Sequence, residues 1–297
     1  MTPFKLACVQ TNSGREIAPN IEAAGTLVRA ARSAGADFVA LPENVAMLEP
    51  RSRLIKEKAA PEHEHAALAA FQALARETGA WLLVGSLTVK LAGGKVANRS
   101  FLLDSEGVIV ARYDKIHMFD VDLAGGESYR ESATFRSGGR AVLAETPWGL
   151  LGMTVCYDVR FPGLYRALAR AGAHFLSIPS AFTRTTGRAH WHVLLRARAV
   201  ENGCYVLAPA QCGAHAEGRE TYGHSLIVDP WGEVLADGGA EVGIITAEID
   251  PAKVAEARRM IPSLTHDRAF AEPSSQGAGS GSERMRKLRA AGGSGKA

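Results

Sequence analysis

The sequence predicts a layered α/β domain with a mixed sheet. Three observations point there. Short apolar runs alternate with stretches whose apolar residues fall at helical spacing, and strand pairs joined by turn residues interrupt that alternation. Four of the apolar runs also stop in polar residues, at Pro42-Glu43-Asn44, Cys156-Tyr157-Asp158, Pro179-Ser180-Ala181 and Pro209-Ala210-Gln211. In open α/β sheets ligands bind at the carboxyl ends of strands, so these polar ends point to one site.

Each element has its own signal. Phe4 to Gln10 reads as a first strand. Asn20 to Ser33 places Ile21, Ala24, Leu27, Val28 and Ala31 on one helical face, with Gly35 as the stop. Asp37 to Glu43 is a second strand ended by Pro42, and Pro61 opens a helix with Leu68, Phe71, Leu74 and Ala75 on one face, closed by Gly79. Trp81 to Thr88, Val96 to Leu103 and Val108 to Tyr113 read as antiparallel neighbours. A long polar loop, Asp114 to Gly139, precedes a strand pair around Thr146 to Gly149. The second strand of that pair runs into Cys156, and Pro162 then starts a helix over 162–171. Strand His174 to Pro179, helix Ala189 to Glu201 and strand Cys204 to Ala208 follow. Ser225 to Val228, the turn Asp229-Pro-Trp-Gly232 and Ile244 to Ile249 complete the sheet, and a helix from Pro251 to Met260 ends the ordered part.

The 297 residues are 46% hydrophobic and 22% charged, an ordinary globular balance. No linker-like stretch interrupts them before the C-terminus, so one domain is expected over 1–272, with a disordered Gly/Ser/Arg-rich tail at 273–297. The formal charge of +3 misleads, because the tail carries five basic residues against Glu283 alone. The remaining body is near neutrality, which argues against a nucleic-acid surface. Cys8, Cys156, Cys204 and Cys212 form no CxxC pair, which argues for a reducing compartment and against a zinc site. No run of eighteen apolar residues and no signal-peptide core are present, so a cytoplasmic protein without a membrane span is expected.

Cys156 stands at a strand-to-helix junction, where free backbone N–H groups and the helix dipole favour a thiolate. A buried structural cysteine is the plainer alternative. A nucleophilic thiol needs a base and a cation for the developing oxyanion. Glu43, ending a buried strand, is placed for desolvation to raise its pKa toward that of a useful base. Lys115 opens a loop longer than the usual connection, and such loops are often functional. Taken singly, Glu43 reads equally as a surface carboxylate and Lys115 as a solvated lysine; only the set is specific.

Leu41-Pro-Glu43, Tyr113-Asp-Lys115-Ile-His117 and Val155-Cys156-Tyr-Asp-Val-Arg160-Phe-Pro162 resemble the three motifs of the nitrilase superfamily of carbon–nitrogen hydrolases. Pro179 to Glu201, Ala210-Gln-Cys-Gly213, Tyr222-Gly-His-Ser225 and Asp229-Pro-Trp-Gly232 are similar to its Nit branch, which holds deaminated glutathione amidase and ω-amidase. The resemblance runs from about Lys5 to Phe270. It implies a four-layer αββα sandwich, assembled as a homodimer or a higher even oligomer, with no metal and no organic cofactor. It implies Glu43 as general base, Lys115 as oxyanion partner, Cys156 as nucleophile, Glu131 as a second active-site glutamate and the Tyr157 N–H in the oxyanion hole. The implied reaction is hydrolysis of a small carboxylate-bearing amide through a cysteine thioester. ω-Amidase, N-carbamoyl amidohydrolase and nitrilase activities fit the same residues, and a silent binding scaffold is the non-enzyme alternative. Gly163 departs from the pattern, since relatives commonly carry Glu there, and so does Asn44-Val-Ala-Met47 after the base.

Arg184 is the candidate for the substrate carboxylate, with Thr183 and Thr186 hydroxyls adding to the cradle and Arg160 as its competitor. The other polar groups read more simply. His190 and His192 diverge on a helix and suit capping or packing, and Glu62 to His65 reads as a solvated first turn. Arg196 and Arg198 are expected in structural ion pairs near the dimer contact, and Cys212 has no Glu/Lys pattern of its own.

Overall fold

Two six-stranded sheets lie at the centre of the computed structural model, which describes residues 2–123 and 126–271. The first third of the chain gives β1 (Phe4–Gln10), α1 (Ile17–Ser33), β2 (Phe38–Ala40), α2 (Ser52–Lys58), α3 (Ala66–Thr78), β3 (Trp81–Lys90) and β4 (Val96–Leu103). The middle gives β5 (Ile109–Asp114), β6 (Asp120–Asp122), β7 (Ser128–Arg130), β8 (Val142–Thr146), β9 (Gly149–Met153), α4 (Pro162–Arg170) and β10 (Phe175–Ser177). Then follow α5 (Arg184–Asn202), β11 (Tyr205–Ala208), β12 (Cys212–Ala214), β13 (Glu220–Tyr222) and β14 (Leu226–Val228). Last come β15 (Val234–Asp237), β16 (Gly243–Ile249), α6 (Ala252–Met260) and α7 (Ser263–His266).

The sheets have the orders β16-β1-β2-β3-β4-β5 and β15-β14-β11-β10-β9-β8. In each, the middle strands run parallel: β1, β2 and β3 in one, β9, β10 and β11 in the other. Alternation along β1 shows how the layers form. Leu6 and Cys8 join Phe38, Ala40 and Leu83 in a core shared with Leu151, Met153 and Phe175 of the second sheet. Ala7 and Val9 point the other way, into a core with Val28 of α1 and Phe71 of α3. On the far side, Tyr165 and Leu168 of α4 and Trp191 and Leu195 of α5 cover the second sheet. The result is the four-layer αββα sandwich.

Residues Met1–Thr265 make one compact unit; of the second, His266–Ala297, only 266–271 are described. The expected tail, 273–297, lies outside the described residues.

Several local expectations are corrected. Helix α5 starts at Arg184, five residues earlier than Ala189, because the Thr183 side chain caps it by accepting from the Thr186 N–H. The loop after Lys115 contains the β6–β7 hairpin. Residues 244–249 pair with β1 in the first sheet and do not extend the sheet that holds Ser225 to Val228. His65 is buried, its Nε2 3.2 Å from the Thr88 carbonyl, and Glu62 pairs with Arg99 and Arg112, so this turn is not simply solvated. Arg198 does pair with Glu201, but Arg196 donates to the Gly232 carbonyl.

Candidate active site

The carboxyl ends of β2, β5 and β9 converge. Glu43 follows β2, Lys115 follows β5 and Cys156 follows β9, and all three line a cavity of about 590 Å³ together with Glu131 and Tyr157. Lys115 Nζ lies 3.1 Å from Glu43 Oε1 and 2.8 Å from Glu131 Oε2. The Glu43 side chain also shares a hydrogen bond with the Cys156 thiol. Glu43, Lys115 and Cys156 therefore form one connected, buried group.

The scaffold around this group fixes each member. Asn98 of β4 donates to Glu43 Oε1 at 2.8 Å and reaches Glu131 Oε1 at 3.3 Å. The Ala181 N–H donates to Glu43 Oε2 at 2.8 Å, and the Phe119 N–H to Glu131 Oε2 at 2.6 Å. Glu43 is thus oriented at both oxygens, the fixed geometry that a directed base would need. Gly85 permits the close approach of the segment that leads into Glu43: a Cβ there would overlap the Leu41 carbonyl and meet Pro179 Cβ at 2.5 Å.

Asp158 does the same for the cysteine turn. It is fully buried, and its Oδ2 accepts from the Val155 N–H at 2.9 Å and the Tyr113 hydroxyl at 2.7 Å. Its Oδ1 accepts from the His117 N–H at 3.0 Å and meets His117 Nδ1 at 2.7 Å. One carboxylate therefore joins the segment bearing Lys115 to the segment bearing Cys156. Cys156 itself sits at φ 50, a left-handed conformation that non-glycine residues adopt only when held, here by its N–H bond to the Pro179 carbonyl. Gly163 has open space around it, and the turn is held instead by Asp158 and by Arg198, which donates to the Val159 carbonyl at 2.9 Å.

Known proteins resemble this chain in sequence and fold. Over residues 5–259 the chain matches the carbon–nitrogen hydrolase family. The chain belongs to that family. The deaminated glutathione amidase of Synechocystis is 42% identical over 270 residues, which span 90% of this chain and 98% of that protein. Among solved structures, the Caenorhabditis elegans NitFhit protein superposes with a TM-score of 0.84 at 38% identity; the match spans 90% of this chain and 65% of that one. Saccharomyces cerevisiae Nit3, a member of branch 10 of the nitrilase superfamily, gives 0.80 at 29% identity, over 88% and 94% of the two chains.

In this carbon–nitrogen hydrolase the electrostatics differ from the expectation at two points. Burial pushes the Glu43 carboxyl up, but the Lys115 ammonium and the hydrogen bonds from Cys156, Asn98 and Ala181 outweigh it and hold it below its ordinary value. Glu43 is therefore favoured in its ionised form. For Cys156, burial and then the neighbouring Glu43 charge push the thiol well up, against the pull of Lys115. The junction does not produce a resting thiolate. Burial works to lower the Lys115 pKa, yet Glu131 and Glu43 together hold the ammonium firmly protonated.

The candidates for substrate binding fall in different places. Thr183 and Thr186 line the cavity, but their hydroxyls meet each other at 2.7 Å within the helix cap. Arg184 also lines it, with its side chain 57% exposed and its Nη1 2.8 Å from Glu220 Oε1. Arg160 is not part of the lining: its guanidinium lies over Tyr157 and Phe182 and meets His190 at 3.2 Å.

Asn98 and Asp158 were the residues sequence reading left without a role. Asn98 could have been found as a polar residue inside the apolar run Val96 to Leu103. Among the described residues, one group has metal-ligand character, His192, His224 and Asp237. It lies outside the cavity lining, and the Asp237 carboxylate is already shared by the two imidazoles at 2.9–3.1 Å. Cys212 is buried in β12 with its thiol pushed up to about 11 by burial.

Proposed function

We propose that the protein hydrolyses the amide of a small carboxylate-bearing substrate through a Cys156 thioester, in the manner of a deaminated glutathione amidase. The observation that carries this reading is the Cys156–Glu43–Lys115–Glu131 group at the base of the cavity. Glu43 takes the thiol proton as sulfur attacks the amide carbon. The carbonyl oxygen becomes an oxyanion facing the Lys115 ammonium and the Tyr157 N–H. Collapse breaks the carbon–nitrogen bond, and the leaving nitrogen takes the proton from Glu43 and departs as ammonia. A water then gives its proton to Glu43 and adds to the thioester, the acid is released, and the sulfur is reprotonated. Glu131 holds Lys115 in place through both carboxylate oxygens, at 3.0 and 2.8 Å.

The names of the 40–42% identical relatives support the substrate. The reading includes a homodimer, supported by exposed Val193 and Val200 on α5 and Trp231 beyond it, and sedimentation at micromolar concentration tests that. Four free buried thiols suit the cytoplasm. The same reading places the domain at 1–272. The deciding assay measures ammonia release from deaminated glutathione, α-ketoglutaramate, a carbamoyl amino acid and a simple nitrile. Deaminated glutathione is expected to lead; fastest turnover of the nitrile or the carbamoyl compound overturns the substrate assignment.

A further inference from the structure

We propose that Arg219 receives the carboxylate of the substrate, the role sequence reading gave to Arg184; this rests on the amidase reading above. Four basic residues line the cavity: Lys115, Arg130, Arg184 and Arg219. Lys115 is held by Glu43 and Glu131, Arg130 by Asp122 at 2.8 Å, and Arg184 by Glu220 at 2.8 Å. Arg219 alone among these four has no carboxylate partner among the described residues. Its guanidinium lies over the Tyr129 ring, 5.7 Å from the centroid, and Nη2 donates to the Ala181 carbonyl at 3.1 Å. Nε is shut off from solvent without an acceptor. A guanidinium stacked on a ring and anchored at one nitrogen is held rigid while most of its donors stay unused. That is the state in which a bidentate carboxylate gains most.

The mounting also puts this cation beside the chemistry. Ala181 gives its carbonyl to Arg219 and its N–H to Glu43, so one residue sets the spacing between guanidinium and base. The β12–β13 hairpin that carries Arg219 is pinned to the body. His215 bonds the Ser13 carbonyl at 3.0 Å, and Glu217, at φ 57 beside the tip, is held by Arg15 and Arg51 at 2.5 Å each. A carboxylate on Arg219 therefore meets a fixed wall, and the amide of the same molecule is directed toward Cys156. By contrast, Arg184 must give up Glu220 before it can serve.

The test compares glutaramate, an amide with a free carboxylate, with pentanamide, the same chain length without one. Arg219→Gln is expected to lower kcat/KM for glutaramate by about 30- to 300-fold, mostly through KM, and to change that for pentanamide by less than about threefold. Glutarate, as a competitive inhibitor, should weaken by a similar factor, and Arg219→Lys should recover part of the loss because it restores charge without the fork. Arg184→Gln should leave both substrates within about threefold. Equal losses on the two amides would make Arg219 a structural anchor of the hairpin, and no loss on either would remove it from recognition; both outcomes overturn the assignment alone. Wild-type protein that releases ammonia from neither amide and forms no adduct on Cys156 would overturn the amidase reading and Arg219's role with it.

Discussion

Replacing Asp158 by Asn tests whether one buried carboxylate ties the lysine and cysteine segments together. The substitution keeps shape and volume, so no cavity term enters. Its amide has one oxygen and one NH₂, whereas each oxygen of Asp158 accepts from a backbone N–H: Oδ2 from Val155 and Oδ1 from His117. Whichever way the amide turns, its NH₂ faces one of those N–H donors. The variant loses at least two charge-assisted bonds, each worth roughly 1.5–3 kcal/mol, and leaves one backbone N–H without an acceptor; at least about 3–6 kcal/mol of stability should go. Urea unfolding should show a lower midpoint with an unchanged slope. Because the same carboxylate sets the geometry of Cys156 and Lys115, kcat under conditions that keep the variant folded should fall at least about tenfold. A stability loss under about 1 kcal/mol, or a large loss with unchanged kcat, would refute the account.

Cys156→Ala should abolish turnover while the fold persists, and mass spectrometry of a slow substrate should place the acyl adduct on Cys156; an adduct on Cys212 would reverse the assignment. Glu43→Gln keeps the shape but accepts no proton, so acylation and deacylation should each fall by about 10²- to 10⁴-fold, while Glu131→Gln, which can still bond Lys115, should be milder. Equal losses in single-turnover kinetics would mean that the two roles are not divided. The pH dependence follows from the direction of each shift. Glu43 is held below its ordinary 4.5, so its contribution to stability is present above that pH and is lost as pH falls through the lower folded value. The Cys156 thiol is held above its ordinary 9.0 and the Lys115 ammonium above 10.5, so their contributions are full below those values and are lost as pH rises past them. A kcat/KM profile flat from about pH 5.5 to 8.5 is expected, and a rise tracking thiolate formation near pH 8–9 would contradict it.

The strands were legible because apolar runs ending in Pro or Gly leave few alternatives, and the site because four of those runs end in polar residues. What escaped the sequence was set by contacts distant along the chain. Residues 244–249 read as a strand, but nothing local says that they pair with β1. The Thr183 cap moved the start of α5 upstream, which consumed the two threonine hydroxyls that looked free. Arg184 and Arg219 carry the same charge in similarly polar stretches of sequence; only folding reveals that Glu220 occupies one and a tyrosine ring supports the other. Beside a strand-to-helix junction, the rule that helix N-termini stabilise thiolates was sound, but Cys156 is buried next to Glu43 and the larger effect wins.

That last reversal bears on how the site works. Lys115 is paired with two carboxylates, so the buried group carries one net negative charge while the thiol keeps its proton. A resting thiolate would add a second negative charge beside Glu43, at a largely buried position where charges are weakly screened. Moving the proton from sulfur to Glu43 leaves the net charge unchanged, so activation needs no ion brought into the cavity. The cost falls instead on an uncommon proton distribution, and it is offset only when the sulfur attacks and its charge passes to the carbonyl oxygen facing Lys115. On this account reactivity is coupled to an amide in place: the thiol keeps its proton until an amide is bound and becomes a nucleophile as the oxyanion forms. Wild-type Cys156 should accordingly react slowly with iodoacetamide at pH 7.5, despite lining an open cavity. Alkylation as fast as that of a low-pKa thiolate would show that the proton is already gone.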